Sequence, residues 1–353
     1  MRQQTGNFRT VFVRLVICLG ALRVFRKLAN ILQLRRNHDD APVFPFFKRR
    51  QTRKAQILVY HRVNDDADAF FPGVPVALFT RQMEYVAENY TIYSLDQIVA
   101  ALTSRDLPDN ALCITFDDGY KDNFVHAFPV LSRLSLPATI FLATGAIGSG
   151  KLLWHDRVFA GFRQTQVPEL AVVGTAWPHY PLQTVTQRQY ALAAVLNSLW
   201  NLPDIKRGEY VNTLLDALEV ENDAQSQGLM LDWPDVETMS ECNIQFGAHT
   251  VTHPILSKAA PQLARKEIVR SKEAIEQRLA VTVNHFAYPV GRRSDFSDEI
   301  KTFLRDVGFV SAVTTIDGSN DEHTDLYELR RATPWDADVD SFALRLAYFK
   351  FAS

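Results

Sequence analysis

The sequence predicts an α/β fold in which strands and helices alternate around a parallel sheet or barrel. Short apolar runs recur along the body of the chain and alternate with segments of helical periodicity, which is the pattern of βα units. The 353 residues are 47% hydrophobic and 22% charged, values that argue against disorder, collagen-like repeats and coiled coil. A chain of this length forms one large domain or two ordinary ones.

The first 54 residues are strongly basic. They carry 13 Lys and Arg against two Asp, a charge of +11, whereas the whole chain has a formal net charge of −2 and so gives no argument for nucleic acid. The apolar run 11–25 is interrupted by two arginines, is too short to span a membrane and has no signal cleavage site after it. We interpret residues 1–40 as an amphipathic segment that contacts an anionic membrane surface. A helix packed on the folded domain, or a wrongly assigned start, is the alternative.

Residues 55–353 are predicted to form the folded domain, with residues 1–54 as arm and linker. A capping box at Ser94 opens one helix that continues to about Thr103, and a proline in the first turn opens another over residues 261–279. Seven strands are predicted, at residues 57–60, 112–116, 139–143, 244–247, 284–288, 309–313 and, less strongly, 327–331.

Residues 150–232 interrupt this alternation with helical segments at 189–200 and 210–219. We interpret them as an insertion within the domain rather than as a second domain with a core of its own. The three cysteines are odd in number and far apart, which excludes a disulfide scaffold. Cys113 and Cys242 are predicted to be buried small hydrophobes.

Two acidic residues follow the second predicted strand, and two histidines follow the fourth. Asp117 and Asp118 come at the carboxyl end of their strand, which is the usual catalytic edge of a parallel sheet. His249 and His253 are four residues apart, a spacing that lets both imidazoles converge on one metal. Two His and one Asp leave a fourth position for water, as catalytic metal sites do, and the other Asp is free to act on that water. A helix cap and structural histidines are the alternatives.

Two segments resemble the first two motifs of the polysaccharide deacetylases (the NodB-homology domain, carbohydrate esterase family 4): Thr115-Phe116-Asp117-Asp118-Gly119-Tyr120 and His249-Thr250-Val251-Thr252-His253-Pro254. The resemblance runs from about residue 60 to about residue 331. It includes Trp154-His155-Asp156-Arg157, which is similar to a segment of exopolysaccharide and capsule deacetylases. It implies a distorted (β/α) barrel of about seven strands with a helical insertion. It also implies the removal of N-acetyl, in some members O-acetyl, groups from an acetylated polysaccharide.

The resemblance implies roles for five residues. Asp118, His249 and His253 would hold one divalent metal, and Asp117 would be the general base. Val290 matches the position whose backbone N–H helps to bind the oxyanion, a role that does not depend on the side chain. Two His and one carboxylate suit Zn²⁺ best, with Mn²⁺, Co²⁺ or Ni²⁺ as further options.

The sequence departs from the family pattern at two places. Ala287 stands where the family usually has an Arg beside the base, and Leu329-Arg330-Arg331 stands where the family has Leu-x-His. Arg330 or Arg331 is therefore the candidate for the positive charge near Asp117, with a surface pair as the alternative.

The missing late histidine leaves the general acid to be found elsewhere. His61 follows the first predicted strand directly and so lies at the rim where the other candidate residues end their strands. We predict that His61 is the acid, with a structural histidine as the alternative. His155, beside Asp156 in the insertion, is the next candidate.

The sequence leaves two other functions open. Residues 145–151 match G-x-x-x-x-G-K after an apolar strand, but Leu152 replaces the Ser or Thr that would hold Mg²⁺, so nucleotide binding is a remote alternative. A non-catalytic carbohydrate-binding relative is consistent with Ala287 and the missing histidine. The intact Asp117 argues against it, because such a protein has no evident use for a free carboxylate there.

Overall fold

The structure is a computed structural model that describes residues 53–171, 179–220, 228–334 and 336–351. Residues 1–52 of the basic arm, with Cys18 and the predicted membrane-contacting segment, lie outside the described residues. Within the described ranges, no helix is both long and apolar enough to cross a membrane.

Seven parallel strands form a nearly closed barrel. The ten described strands are β1 Gln56–Tyr60, β2 Thr91–Ile92, β3 Ala111–Phe116, β4 Ala138–Leu142, β5 Glu169–Leu170, β6 Tyr180–Pro181, β7 Ile244–Ala248, β8 His285–Ala287, β9 Ser311–Asp317 and β10 Leu329–Arg331. The barrel order is β1-β3-β4-β7-β8-β9-β10, with every neighbouring pair parallel. Ala332, just after β10, closes the barrel: its N–H donates to the carbonyl of Ile57 in β1 at 2.7 Å. All seven predicted strands are confirmed.

Helices connect the strands and cover the outside of the barrel. The described α-helices are α1 Val76–Asn89, α2 Leu95–Ser104, α3 Phe128–Arg133, α4 Trp154–Gln164, α5 Val185–Trp200, α6 Asp204–Ala217, α7 Trp233–Ser240, α8 Pro261–Leu279, α9 Asp298–Asp306 and α10 Val339–Phe351. The capping box at Ser94 is confirmed, because its side chain accepts from the Gln97 N–H and the Gln97 side chain accepts from the Ser94 N–H. The predicted helix 261–279 is α8 with both ends as predicted.

The alternation of side chains along β3 explains how the barrel is filled. Leu112, Ile114 and Phe116 join the large apolar cluster under the outer helices, whereas Cys113 belongs to a second cluster with Phe141 of β4. Successive side chains of a strand point to opposite faces, so the second cluster fills the barrel interior. The apolar core therefore continues on both faces of the sheet, which is why the strands read as unbroken hydrophobic runs.

Gly247 in β7 makes room for this interior packing. A Cβ atom at this position would collide with the ring of Phe141 on the neighbouring strand. Phe141 is fully buried, so it has no space into which to retreat. Glycine here is required by a close approach between strands rather than by a turn.

The insertion has a hydrophobic cluster of its own, although it belongs to the same compact unit as the barrel. α4, α5 and α6 pack together through residues such as Phe162, Leu199 and Leu214, each fully buried. Three helices can cover their apolar faces by packing together, and the sequence pattern did not show whether they pack against each other or against the barrel.

Of the two described cysteines, one lies where it was predicted. Cys113 is buried in β3, and burial raises the pKa of its thiol to about 12. Cys242 is exposed, so its predicted burial is wrong. It lies in the turn between α7 and β7, on the solvent side of that connection.

Candidate active site and metal centre

The two acidic residues after β3 face different partners because the backbone turns sharply between them. Asp117 keeps the alternation of the strand and points into the barrel like Thr115, whereas Asp118 has a φ of 73° and Gly119 a φ of 85°. The N–H of Gly119 donates to the carbonyl of Asp117 at 2.9 Å, which closes the turn. Both carboxylates are 2% exposed. The left-handed backbone conformation at Asp118 and Gly119 thus directs the side chains of Asp117 and Asp118 to different partners at the same rim.

The histidine loop after β7 is held by a carboxylate from α8. Glu267 accepts hydrogen bonds from the N–H groups of Val251 and Thr252, each at 2.8 Å, and from the Thr252 hydroxyl at 3.0 Å. Thr250 and His253 have φ values of 65° and 59°. Non-glycine residues in this region carry a conformational cost, which Glu267 and the packing around the loop offset. The loop brings both imidazoles of the motif to the rim.

Asp118, His249 and His253 form one buried cluster. The Nε2 atoms of the two histidines lie 3.4 and 3.3 Å from Asp118 Oδ1. The three prospective ligand atoms lie within 4.8 Å of one another, and Asp118 Oδ1 has no hydrogen-bond partner among the described residues. A buried acceptor that faces two imidazole nitrogens is what an open tetrahedral metal site needs. The donor set therefore fits a divalent cation.

Neighbouring groups orient these ligands. The Nδ1 atom of His249 lies 2.7 Å from the carbonyl oxygen of Ala287 in β8, which turns Nε2 toward Asp118. Burial by itself would raise the pKa of Asp118, but His249 and the other nearby histidines hold that pKa well below its usual range. Burial lowers the pKa of His253 well below its usual value. A neutral imidazole and an ionised carboxylate are the forms that bind metal.

Asp117 is paired with Arg331 at the end of β10. The guanidinium Nη1 donates to Asp117 Oδ1 at 2.8 Å and Nη2 donates to Oδ2 at 2.6 Å, a bidentate pair. Arg331 also donates to the carbonyl of Thr314 and to the hydroxyl of Thr115, and its side chain is fully buried. Burial would raise the pKa of Asp117, but the charge and hydrogen bonds of Arg331 lower it. Of the two arginines considered, Arg331 contacts Asp117 and Arg330 is exposed.

His61 lies beside Asp117 at the carboxyl end of β1. Its Nε2 is 4.0 Å from Asp117 Oδ2, and its side chain is 24% exposed. Asn123 Nδ2 donates to the backbone carbonyl of His61 at 2.8 Å, which ties the residue to the π-helical turn Asn123–Ala127 after β3. Burial lowers the pKa of the imidazole. His61 thus has a fixed backbone and a partly open side chain at the rim.

The insertion sends a second histidine to the same rim. His155, in the first turn of α4, has its Nε2 atom 3.9 Å from Asp118 Oδ2 and 3.1 Å from the hydroxyl of Tyr120. That hydroxyl donates to Asp156 Oδ1 at 2.9 Å. Tyr120 and Asp156 lie within the sequence motifs, but the motifs alone indicate no role for them. Both side chains have a polar group buried beside the motif carboxylates, and this proximity depends on how α4 packs against the barrel.

Val290 follows β8 on the loop that completes this side of the rim. Its φ is 62°, which is unusual for a β-branched residue and indicates a backbone held by its surroundings. The Thr315 hydroxyl donates to the Val290 carbonyl at 2.7 Å, and the Thr315 N–H donates to the carbonyl of Gly291 at 2.9 Å. β9 therefore fixes the peptide groups on both sides of Gly291.

The glycine-rich segment 145–151 does not form a phosphate-binding loop. It is a series of turns with no helix beginning at its end, because α4 starts only at Trp154. The N–H groups of Gly145 and Gly148 donate to the carbonyls of Val251 and Leu231. N–H groups that are already paired cannot cradle a phosphate. The structure gives the nucleotide-binding alternative no site.

A carboxylate paired with an arginine, next to a buried Asp/His/His cluster at the rim of a parallel barrel, defines a hydrolase-type site. The family model for polysaccharide deacetylase matches residues 104–312 of the chain. The chain belongs to the polysaccharide deacetylase family, and it is a hydrolase of that class.

Known proteins are similar over most or part of the chain. YxkH of Bacillus subtilis, a protein assigned to the polysaccharide deacetylases, is 22% identical over 302 residues, which are 85% of this chain and 77% of YxkH. The poly-β-1,6-N-acetyl-D-glucosamine N-deacetylase of Escherichia coli K12 is 35% identical over 82 residues, only 22% of this chain and 12% of that enzyme. The solved structure of Streptococcus pyogenes deacetylase PplD in complex with acetate has a TM-score of 0.56 and 20% identity, covering 83% of this chain and 98% of PplD. This structural likeness shows the shared fold.

Proposed function

We propose that the protein removes acetyl groups, above all N-acetyl groups, from a polysaccharide or a glycan intermediate. The observation that carries this proposal is the Arg331-paired carboxylate of Asp117 next to the buried cluster of Asp118, His249 and His253. The similarity to an N-deacetylase that acts on poly-N-acetylglucosamine supports the choice of an acetamido sugar.

The proposed metal site consists of Asp118, His249 and His253. A divalent metal held there would lower the pKa of a water molecule and polarise the acetyl carbonyl. Two imidazoles and one carboxylate favour Zn²⁺, and Mn²⁺, Co²⁺ and Ni²⁺ share these ligand preferences. Asp118 Oδ1, which has no hydrogen-bond partner among the described residues, supports this assignment. Burying a carboxylate oxygen without a partner costs free energy unless a cation binds it.

Four groups of the protein carry out the proton transfers and stabilise the oxyanion. Asp117 takes a proton from the attacking water, and Arg331 keeps that carboxylate ionised and fixes its direction. His61 gives a proton to the leaving amine, which an amide needs because an unprotonated amine is a poor leaving group. The N–H of Val290 donates to the oxyanion that develops on the acetyl oxygen.

The test measures acetate release from N-acetylglucosamine oligomers and polymers, with and without a chelator. We expect the chelator to abolish release and added Zn²⁺ to restore it. Asp117→Asn should lower turnover by about 10²–10⁴-fold, the usual contribution of a general base, and should retain the metal. His253→Ala should lose the metal.

Two results would contradict the proposal. Undiminished release in the presence of a chelator, with metal content measured as absent, would exclude a metal role. Loss of metal in Asp117→Asn would reverse the roles given to the motif carboxylates.

A further inference from the structure

We propose that a cavity between the loop after β1 and helix α4 binds a sugar unit of the substrate chain that flanks the unit being deacetylated. This proposal rests on the proposed function and specifies its substrate as an oligomer or polymer of uncharged pyranose units. The flanking cavity has a volume of about 530 Å³, and its lining includes Arg62, Asp66, Phe71, Asp156, Phe159 and Arg163. That volume lies within the range of about 300–1,000 Å³ that small-molecule sites occupy.

Phe71 connects the flanking cavity to the active site. Its ring stacks on Phe159 of α4, with centroids 4.7 Å apart and an angle of 11° between the planes. The same ring lies 5.7 Å from the ring of Tyr120 and 6.5 Å from that of His61. One aromatic side chain thus borders both the cavity and the proposed acid. A polymer whose reacting unit lies at His61 extends into the cavity within the length of a sugar unit or two.

Asp156 supplies an unused hydrogen-bond acceptor at the cavity wall. The residue is 3% exposed; its Oδ1 accepts from Tyr120, and its Oδ2 has no partner among the described residues. A buried carboxylate oxygen without a donor costs free energy, and the Tyr120 contact leaves this oxygen unsatisfied. A ligand with a hydroxyl or acetamido N–H group satisfies it.

The two arginines that line the cavity are already paired with carboxylates, which argues against an anionic ligand. Arg163 forms an ion pair with Asp68, another lining residue. Arg62 lies 2.9 Å from Asp122 and 3.4 Å from Asp66. Each guanidinium thus already has a carboxylate partner in the protein, which weakens its attraction for a carboxylate or phosphate of the ligand. Aromatic faces with one oriented polar group are the lining that a neutral, hydroxyl-bearing ring requires.

The test compares substrates of increasing length in a protein whose flanking cavity is filled. Ala69 is exposed on the cavity wall, so Ala69→Trp places an indole in the space without replacing a buried side chain. In the unaltered protein we expect kcat/KM for acetate release to rise about tenfold between the dimer and the hexamer of β-1,6-linked N-acetylglucosamine. Ala69→Trp should remove this rise. Val281→Trp, at an exposed position between α8 and β8, is the matched control and should keep it.

A second variant and a binding measurement distinguish an effect of filling the cavity from an effect of misfolding. Gln164→Trp fills the cavity from α4 and should flatten the length profile in the same way. In the slow Asp117→Asn background, Ala69→Trp should raise the calorimetric Kd of the hexamer about tenfold. Tighter binding of the fully deacetylated glucosamine hexamer than of the acetylated one would overturn the choice of an uncharged ligand.

An activated acetyl ester separates failure of this proposal from failure of the proposed function. The ester is small and does not reach the flanking cavity. If neither ester nor oligomers release acetate, the proposed function fails. If oligomers release acetate with the same kcat/KM at every length, or if both filled variants keep the length profile, the flanking cavity does not bind substrate and the proposed function stands.

Discussion

At the scale of single residues, the buried ion pair of Asp117 and Arg331 stabilises the protein only while both partners are present. Arg331→Met leaves an unpaired carboxylate in the barrel, and breaking a buried ion pair from one side costs about 3–5 kcal/mol. We expect a loss of that size in the free energy of unfolding, measured by urea denaturation. The double variant Asp117→Asn/Arg331→Met should lose less than the sum of the single losses, because it leaves neither charge alone.

The neighbouring arginine provides the control for this cycle. Arg330 is exposed on the same strand, so Arg330→Met should change stability little. If Arg331→Met lowers the free energy of unfolding no more than Arg330→Met does, the ion pair of Asp117 and Arg331 does not stabilise the barrel interior.

The proposed role of His61 as proton donor predicts an effect on activity that depends on the substrate. His61→Ala should keep its metal and fold and should lose about 10²–10⁴-fold in amide hydrolysis. An activated acetyl ester has a better leaving group and should be cleaved with a much smaller loss. His323→Ala, at a well-exposed histidine, is the control. Equal losses on amide and ester would assign His61 a structural role.

Much of the candidate site could be predicted residue by residue, because strand ends fix which side chains meet. Asp117, Asp118 and the two histidines follow strands that the hydrophobic pattern already identified. Glu267 was missed, although it holds the histidine loop. It lies in the middle of α8 and reaches the loop only through tertiary packing, and no spacing in the sequence links it to residues 15 or 16 positions earlier.

At the scale of elements, Asp96 joins helix α2 to the barrel floor. Its carboxylate accepts from Gln245 Nε2 of β7 at 2.7 Å and from Asn284 Nδ2 at 2.9 Å, and it lies 2.9 Å from Nε2 of His285 in β8. The hydrogen bond with His285 is the largest cause that lowers the pKa of Asp96, despite partial burial. A carboxylate whose folded pKa is lowered stabilises the protein above the ordinary Asp pKa, and this contribution is lost as the pH falls.

We therefore expect a pH-dependent effect of Asp96→Asn. Near pH 7 the variant should be less stable by about 1–2 kcal/mol, a figure discounted for the side chain's partial exposure. The difference should persist down to about pH 4, the ordinary Asp pKa, and shrink below it. Urea titrations of both proteins from pH 7 to pH 2 measure this. Asp298→Asn, an exposed acid in the first turn of α9, should show no such trend; a pH-independent difference for Asp96→Asn would contradict the linkage.

The barrel strands were predicted well, and the shortest strands were not. Each barrel strand is buried on both faces and so forms a continuous hydrophobic run. β2, β5 and β6 have two residues each and carry no periodic signal. Helix α6 begins six residues before its predicted start because its first turns carry mainly polar side chains.

At the scale of the whole molecule, we propose that the basic arm brings the enzyme to an anionic membrane surface. Residues 1–40 contain eight Lys and Arg, and each basic side chain near such a surface contributes about 1 kcal/mol. The full-length protein should float with vesicles containing anionic lipid and should be released by salt. Replacement of these eight residues by Gln should abolish flotation. The same number of Gln substitutions at exposed basic residues of residues 55–353 is the control, and equal flotation of both variants would refute the proposal.

The position of Arg331 has a consequence for the order in which substitutions could accumulate. Family members usually place their arginine where this chain has Ala287, and Ala287 belongs to the interior cluster of Phe141, over whose ring the Arg331 guanidinium lies. A protein with both arginines would bury two positive charges against one carboxylate, and a protein with neither would leave that carboxylate alone; each state is unfavourable. The two positions therefore constrain each other, and we expect natural lineages to have exchanged them nearly together. Ala287→Arg should harm this chain unless Arg331 is replaced in the same step.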